Sequence, residues 1–156
     1  MDKLIIRDAT TNDAEGISAV LQDLVVAGKR RKDSDAGFAL AHYIAHPDQL
    51  CCNLALDAQG QALGFQAVKH AIEGNPYGAP EGWGVIGTHI RPSAARRGVG
   101  RALFHATLRA VQASGITVID ATISSRNDEG LAYYSAMGFV DYRQGTGTVS
   151  KRYTAA

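Results

Sequence analysis

Apolar positions recur along the chain in two rhythms, and the changes between them mark the elements. The stretch KLIIRDAT, residues 3–10, is a short β-rich run that ends in polar residues, and TTNDAEGISAVLQDLVVAG follows with Thr, Asn and Asp as capping candidates. Ile17, Val20, Leu21, Leu24 and Val25 fall at helical spacing, which predicts a first strand and a first helix. Polar KRRKDSDAG then leads into FALAHYIAHP, a second helical segment stopped near Pro47. This region frames a site instead of building the sheet.

Alternation takes over in QLCCNLALDAQGQALGFQAVKHAI, where two β-like runs flank a polar Asp-Ala-Gln-Gly turn and read as an antiparallel hairpin. After the loop EGNPYGAPEG come a strand, WGVIGTHIRP, a helix, GVGRALFHATLRAVQASG, and another strand, ITVIDATIS. Strand, helix and strand at this length form a βαβ unit, so the two strands are predicted to be parallel. A last helix starts near Asn127 and ends at Gly138, and FVDYRQGTGTVSKRYT supplies two closing strands joined around Gly-Thr-Gly. The order is thus an antiparallel amino-terminal half, a βαβ half and a terminal hairpin.

Composition narrows this picture. The 156 residues fit one domain over 1–156, with no repeat or linker between parts. A formal net charge of +1 gives no global pull toward nucleic acid or membrane. Cys51 and Cys52 are adjacent in an apolar run, which suits neither a disulfide between them nor a metal site, and they read as buried thiols in a reducing compartment. MDKLIIRDAT carries no apolar stretch of signal or membrane-span length, so the expectation is a cytoplasmic protein without metal.

The candidate chemistry lies in ARRGVG, residues 95–100, where a strand gives way to a helix. Unpaired N–H groups and the positive end of the helix dipole make such a place an anion site. Gly98 and Gly100 allow close backbone approach, and Arg96, Arg97 and Arg101 add charge. Taken alone, the pattern is equally a glycine turn with solvated arginines. Neither a nucleoside-triphosphate P-loop nor the full GxGxxG dinucleotide pattern is present.

The run IRPSAARRGVGRAL resembles the acyl-CoA signature of the GNAT superfamily of N-acyltransferases, with Ile90, Pro92, Gly98 and Gly100 at the matching spacing and Ala95 at the usual Arg or Gln position. NDEGLAYYSAMGF is similar to the second motif of that family through Asn127, Gly130, Tyr134, Gly138 and Phe139. The resemblance implies an α/β fold (an α+β mixed sheet), a twisted sheet of six to seven strands flanked by about four helices, with the fourth and fifth strands splayed. It further implies acetyl-CoA as cosubstrate, its pantetheine arm beside the backbone of Thr88 and Ile90 and its pyrophosphate on Arg96, Arg97, Gly98, Val99, Gly100 and Arg101, with Asn127 and Tyr134 nearby.

The implied reaction is direct transfer of an acetyl group to a primary amine of a small molecule, through a tetrahedral intermediate. Backbone N–H near Thr88 would stabilise the oxyanion and Tyr134 would act as general acid, although composition alone allows Tyr133 equally. Where many relatives carry a glutamate base, this chain has Gly84, leaving Glu81 and His89 as the nearest candidates. His89 has the better intrinsic pKa, but alternation sends it to the face opposite Thr88 and Ile90, where a packed, hydrogen-bonded histidine is the plainer reading. Tyr77 and Trp83 could wall the acceptor site, and GKRRKD could attract a carboxylated substrate. Competing readings are a noncatalytic acyl-CoA sensor, an acetyltransferase of protein amines and a nucleotide-binding protein; the closing strands suggest a homodimer.

Overall fold

Seven stretches of alternating or continuous apolar residues pair into one mixed sheet in the computed structural model, which describes residues 3–156. The strands are β1 (Ile5–Asp8), β2 (Gln49–Leu56), β3 (Ala62–His70), β4 (Gly84–Ile90), β5 (Val118–Ser124), β6 (Val140–Gly145) and β7 (Thr148–Thr154), and they lie in the order β1-β2-β3-β4-β5-β7-β6. Every neighbouring pair is antiparallel except β4 and β5. That parallel pair is joined by a crossover helix, as the pattern of strand, helix and strand requires.

Four helices cover the two faces. They are α1 (Ala14–Val26), α2 (Ala36–Ala39), α3 (Val99–Ser114) and α4 (Asp128–Met137). The alternation of β2 and β3 divides the core between them: Cys52, Leu54, Leu56, Phe65 and Ala67 pack with Ile17, Val20 and Leu21 of α1, while Cys51 and Val68 pack with Phe104 and Val111 of α3 and with Tyr134 of α4. Cys51 and Cys52 therefore point into opposite cores, and both are free, buried thiols whose pKa burial raises to about 11 and about 12.

The second helical segment differs from its prediction. Asp35 caps the single turn of α2 by accepting the N–H of Phe38 at 2.7 Å. The backbone then widens into a π-turn over Leu40–Ile44, closed by the Ala45 N–H on the Leu40 carbonyl at 2.7 Å. Periodicity cannot reveal such a turn, because it changes the ring size of the hydrogen bond and leaves the composition alone. Among the described residues no helix is long and apolar enough to cross a membrane, and no group of three or more His, Cys, Asp or Glu is placed to hold a metal ion.

Candidate active site

β4 is paired along its whole length on one side and barely at all on the other. Its register with β3 runs without a shift from Gly84↔His70 to Ile90↔Gly64, whereas its pairing with β5 stops after Gly84↔Ile119 and Val85↔Asp120. Beyond that point the two strands diverge, so the edge of β4 from Ile86 to Ile90 opens into a gap. Unpaired strand edges present backbone donors and acceptors to whatever enters. Gly84 stands at the closed end of the gap, where an added Cβ would lie 2.9 Å from Val68 Cγ1. A glutamate at this position would press into the core.

The α3 side of the gap carries four linked polar groups. Gln66 Nε2 donates to Thr88 Oγ1 and to the Tyr133 hydroxyl, both at 2.9 Å. Thr88 Oγ1 and the Tyr134 hydroxyl lie 2.8 Å apart in a hydrogen bond, and Tyr133 donates to the Gly100 carbonyl at 2.7 Å. Burial pushes the Tyr133 phenol up to about 12 and raises that of Tyr134 further above the usual tyrosine range. Gln66 is fully buried, and its Oε1 is left without a partner. Sequence reasoning missed Gln66. Its signal was a polar residue at an inward position of an otherwise apolar strand.

At the amino terminus of α3 the chain passes through two left-handed residues, Arg96 with φ 62° and Gly98 with φ 79°. No side chain caps this end, and the first intrahelical bond is Ala102 N–H to Gly98 O at 3.1 Å. The N–H groups of Val99, Gly100 and Arg101 thus have no acceptor within the helix. Arg96, Arg97 and Arg101 lie exposed around it. Val99 is buried under this turn, and the Ile90 side chain packs in the same cluster, so only the Ile90 backbone belongs to the strand edge.

Two residues predicted to touch a ligand also have structural duties. A Cβ on Gly100 would come 2.6 Å from Tyr133 Cε1, so the missing side chain makes room for α4 before it makes room for a ligand. Asn127 is the N-cap of α4, its Oδ1 accepting the Gly130 N–H at 3.0 Å.

The opposite face of the sheet holds a cavity of about 610 Å³, lined by His42, Tyr43, Lys69, Tyr77, Gly87 and His89 among others. The unshifted register keeps His89 on this face, opposite Thr88, as alternation predicts. The His89 ring stacks on Phe65 with centroids 4.9 Å apart and meets Tyr43 at 5.4 Å. It is packed but not fully hydrogen-bonded, because its buried Nδ1 has no partner. Burial first, then the Arg30 and Lys32 charges, hold its pKa down at about 3, which makes the ring neutral and a weak base. Tyr77 lines the cavity, whereas Trp83 packs beside Tyr142 with centroids 5.3 Å apart and Glu81 is exposed.

Further along this side, Asp120 of β5 is fully buried and accepts hydrogen bonds from the Tyr142 hydroxyl and from Thr122 Oγ1. Burial raises its pKa, as it does that of Tyr142. Neither residue was singled out in the sequence, since a lone Asp in an apolar strand carries no motif.

A profile of the Acetyltransferase (GNAT) family matches residues 18–139. Among solved structures, the chain is similar to a GCN5-related N-acetyltransferase from Kribbella flavida at 20% identity, covering 97% of each chain with a TM-score of 0.77. It is likewise similar to the PaiA N-acetyltransferase from Thermoplasma acidophilum, a complex with coenzyme A, at 15% identity and a TM-score of 0.75, covering 97% of this chain and 99% of the other. The ribosomal-protein-S18-alanine N-acetyltransferase from Escherichia coli gives 15% identity, a TM-score of 0.74 and coverage of 99% and 95%. No curated protein matches the chain.

Proposed function

Because the chain belongs to the Acetyltransferase (GNAT) family, we propose that it transfers an acetyl group from acetyl-CoA directly to a primary amine of a small molecule. The observation that carries this reading is the gap beside β4, with an uncapped α3 amino terminus at one end and the Tyr134–Thr88 hydroxyl pair within it. The N–H groups of residues 99–101 and the arginines around them suit a pyrophosphate. The open edge of β4 suits the amides of a pantetheine arm, which can add to a strand as a further strand would.

In the reaction the acceptor nitrogen attacks the thioester carbonyl, a C–N bond forms, and the C–S bond breaks as the oxygen charge collapses. Backbone N–H groups on the unpaired edge of β4 near Thr88 stabilise that oxygen charge. Tyr134 gives its proton to the departing thiolate, and the proton that the acceptor nitrogen sheds as the amide forms restores the phenol. Its phenol keeps its proton through the neutral range because it is buried, and burial in the same gap makes the thiolate a stronger base than it is in water. Tyr133 is the less available donor, since its hydroxyl already donates to the Gly100 carbonyl.

The test is a thermal-shift titration with acetyl-CoA, CoA, ATP and NAD, followed by a thiol-release screen of amines. Stabilisation by the CoA compounds alone, with thiol release on addition of an amine, is the expected result. Tyr134→Phe should lower turnover by about 10²-fold or more, the usual size of a general-acid contribution, with CoA stabilisation retained. An unchanged rate removes Tyr134 from the mechanism; CoA binding without turnover of any amine makes the protein a sensor.

A further inference from the structure

The cavity on the α2 side of the sheet is more positive than acetyl transfer to an amine requires. Arg30, Arg31, Lys32 and Lys69 line it, against Asp33 as the one acidic group in its wall. An amine approaches partly as a cation, and such a field repels it. The phosphates of CoA do not account for the excess, because the α3 amino terminus lies across the sheet: Lys69, Gly87 and His89 face this cavity, while Gln66, Thr88 and Ile90 face α3 and α4.

Arg30 and Lys69 are held in place, Arg31 and Lys32 are exposed, and the carboxylate acting on Lys69 is that of Asp48, which makes no salt bridge with it. Arg30 lies over the Phe38 ring at 5.6 Å, Phe38 stacks on His42 at 4.7 Å, and His42 Nε2 is 3.3 Å from Lys69 Nζ. Arg30 is also braced by bonds to Ser34 Oγ at 2.9 Å and the Asp33 carbonyl at 2.7 Å. His42, held down to about 4 by burial and by Lys69, is neutral and accepts from Lys69, which keeps two donors for a ligand. None of the four cations pairs with a carboxylate in the salt bridges among the described residues.

Resting on the transferase reading, we propose that the acceptor is a small amine that itself carries a carboxylate, an amino acid or a related aminocarboxylate. Lys69 and the Arg30–Lys32 loop hold the carboxylate, and the amine reaches the β4 gap beside Gly87. The same positive field disfavours the ammonium form of the bound amine, which gives its proton to solvent and becomes a neutral nucleophile without the glutamate that Gly84 excludes. Charge thus supplies both selection and deprotonation.

The experiment compares amino acids with their carboxamides as acceptors, using the full chain, acetyl-CoA and thiol release. The carboxamide has the less basic amine and the larger neutral fraction, so any preference for the acid comes from the site. The expected result is a kcat/KM at least tenfold higher for the acid. Lys69→Gln should bring the ratio toward one, mainly through KM for the acid, with acetyl-CoA stabilisation retained. If Lys69→Gln does not fold, Arg31→Gln and Lys32→Gln, exposed on the rim, carry the same expectation. Carboxamides or polyamines turned over as well as the acids overturn the inference and leave the transferase reading standing, as does an equal loss for acid and amide in the variants. Absence of any stabilisation by acetyl-CoA overturns both.

Discussion

Tyr133 and Tyr134 are neighbours in the chain, yet one hydroxyl ties α4 to α3 while the other reaches β4. The family motif alone favoured Tyr134, because two adjacent tyrosines look alike in composition. What separates them is the 2.7 Å bond of Tyr133 to Gly100 O, a tertiary fact with no local trace. Gly100→Ala should therefore destabilise: overpacking against the Tyr133 ring costs about 1–3 kcal/mol, and the better helix propensity of alanine returns less than about 1 kcal/mol. Urea denaturation measures this, and Tyr133→Leu on the same background should recover part of the loss. The histidines give a prediction of a different kind. His42 and His89 have folded pKa values of about 4 and about 3, below the ordinary 6.5, because burial disfavours their charged forms. The unfolded chain then binds protons that the folded chain refuses, so their contribution is complete above pH 6.5 and is lost as the pH falls toward 4 and 3. Denaturation curves across this range should show stability declining with acid, and His89→Phe should flatten the slope.

Elements were legible where a single physical cause set their ends. The Gly138 stop with φ 105°, the Asn127 cap and the hairpin turn at Asp57–Gly60 are all residue-type signals, and the structure keeps each of them. The π-turn after α2 was not legible, nor was the parting of β4 from β5, which depends on the sheet twisting as a whole. At the start of α3, Gly98 adopts φ 79° with nothing within 4 Å of its Cβ position, so only backbone strain opposes a side chain there. Gly98→Ala should cost about 1–2 kcal/mol, the penalty for the left-handed conformation, and should weaken acetyl-CoA binding by disturbing the uncapped turn. Calorimetric titration with CoA checks the second effect, and denaturation the first.

At the scale of the molecule, the formal net charge of +1 conceals two separate concentrations of positive charge, one around the start of α3 and one in the loop before α2. Total composition averages over both, which is why the class and topology were readable while the cavity proposed for the acceptor was legible only in pieces, the GKRRKD run and Tyr77: its wall joins residues 30–33, 42, 69, 77, 87 and 89, and only the fold brings them together. Raising the ionic strength from about 10 mM to about 1 M shortens the screening length from about 30 Å to about 3 Å, and the KM values for acetyl-CoA and for a carboxylated acceptor should both rise. Initial-rate assays over a salt series measure this, and indifference to salt in either KM argues against the corresponding cation cluster. The divergence of β4 and β5 has one more consequence. In the proposed reaction it makes the sheet a partition with a window, acetyl-CoA entering from the α3 side and the acceptor from the other, so that neither blocks the exit of the other. Double-reciprocal lines for the two substrates should then intersect, and each product should compete only with the reactant that shares its side.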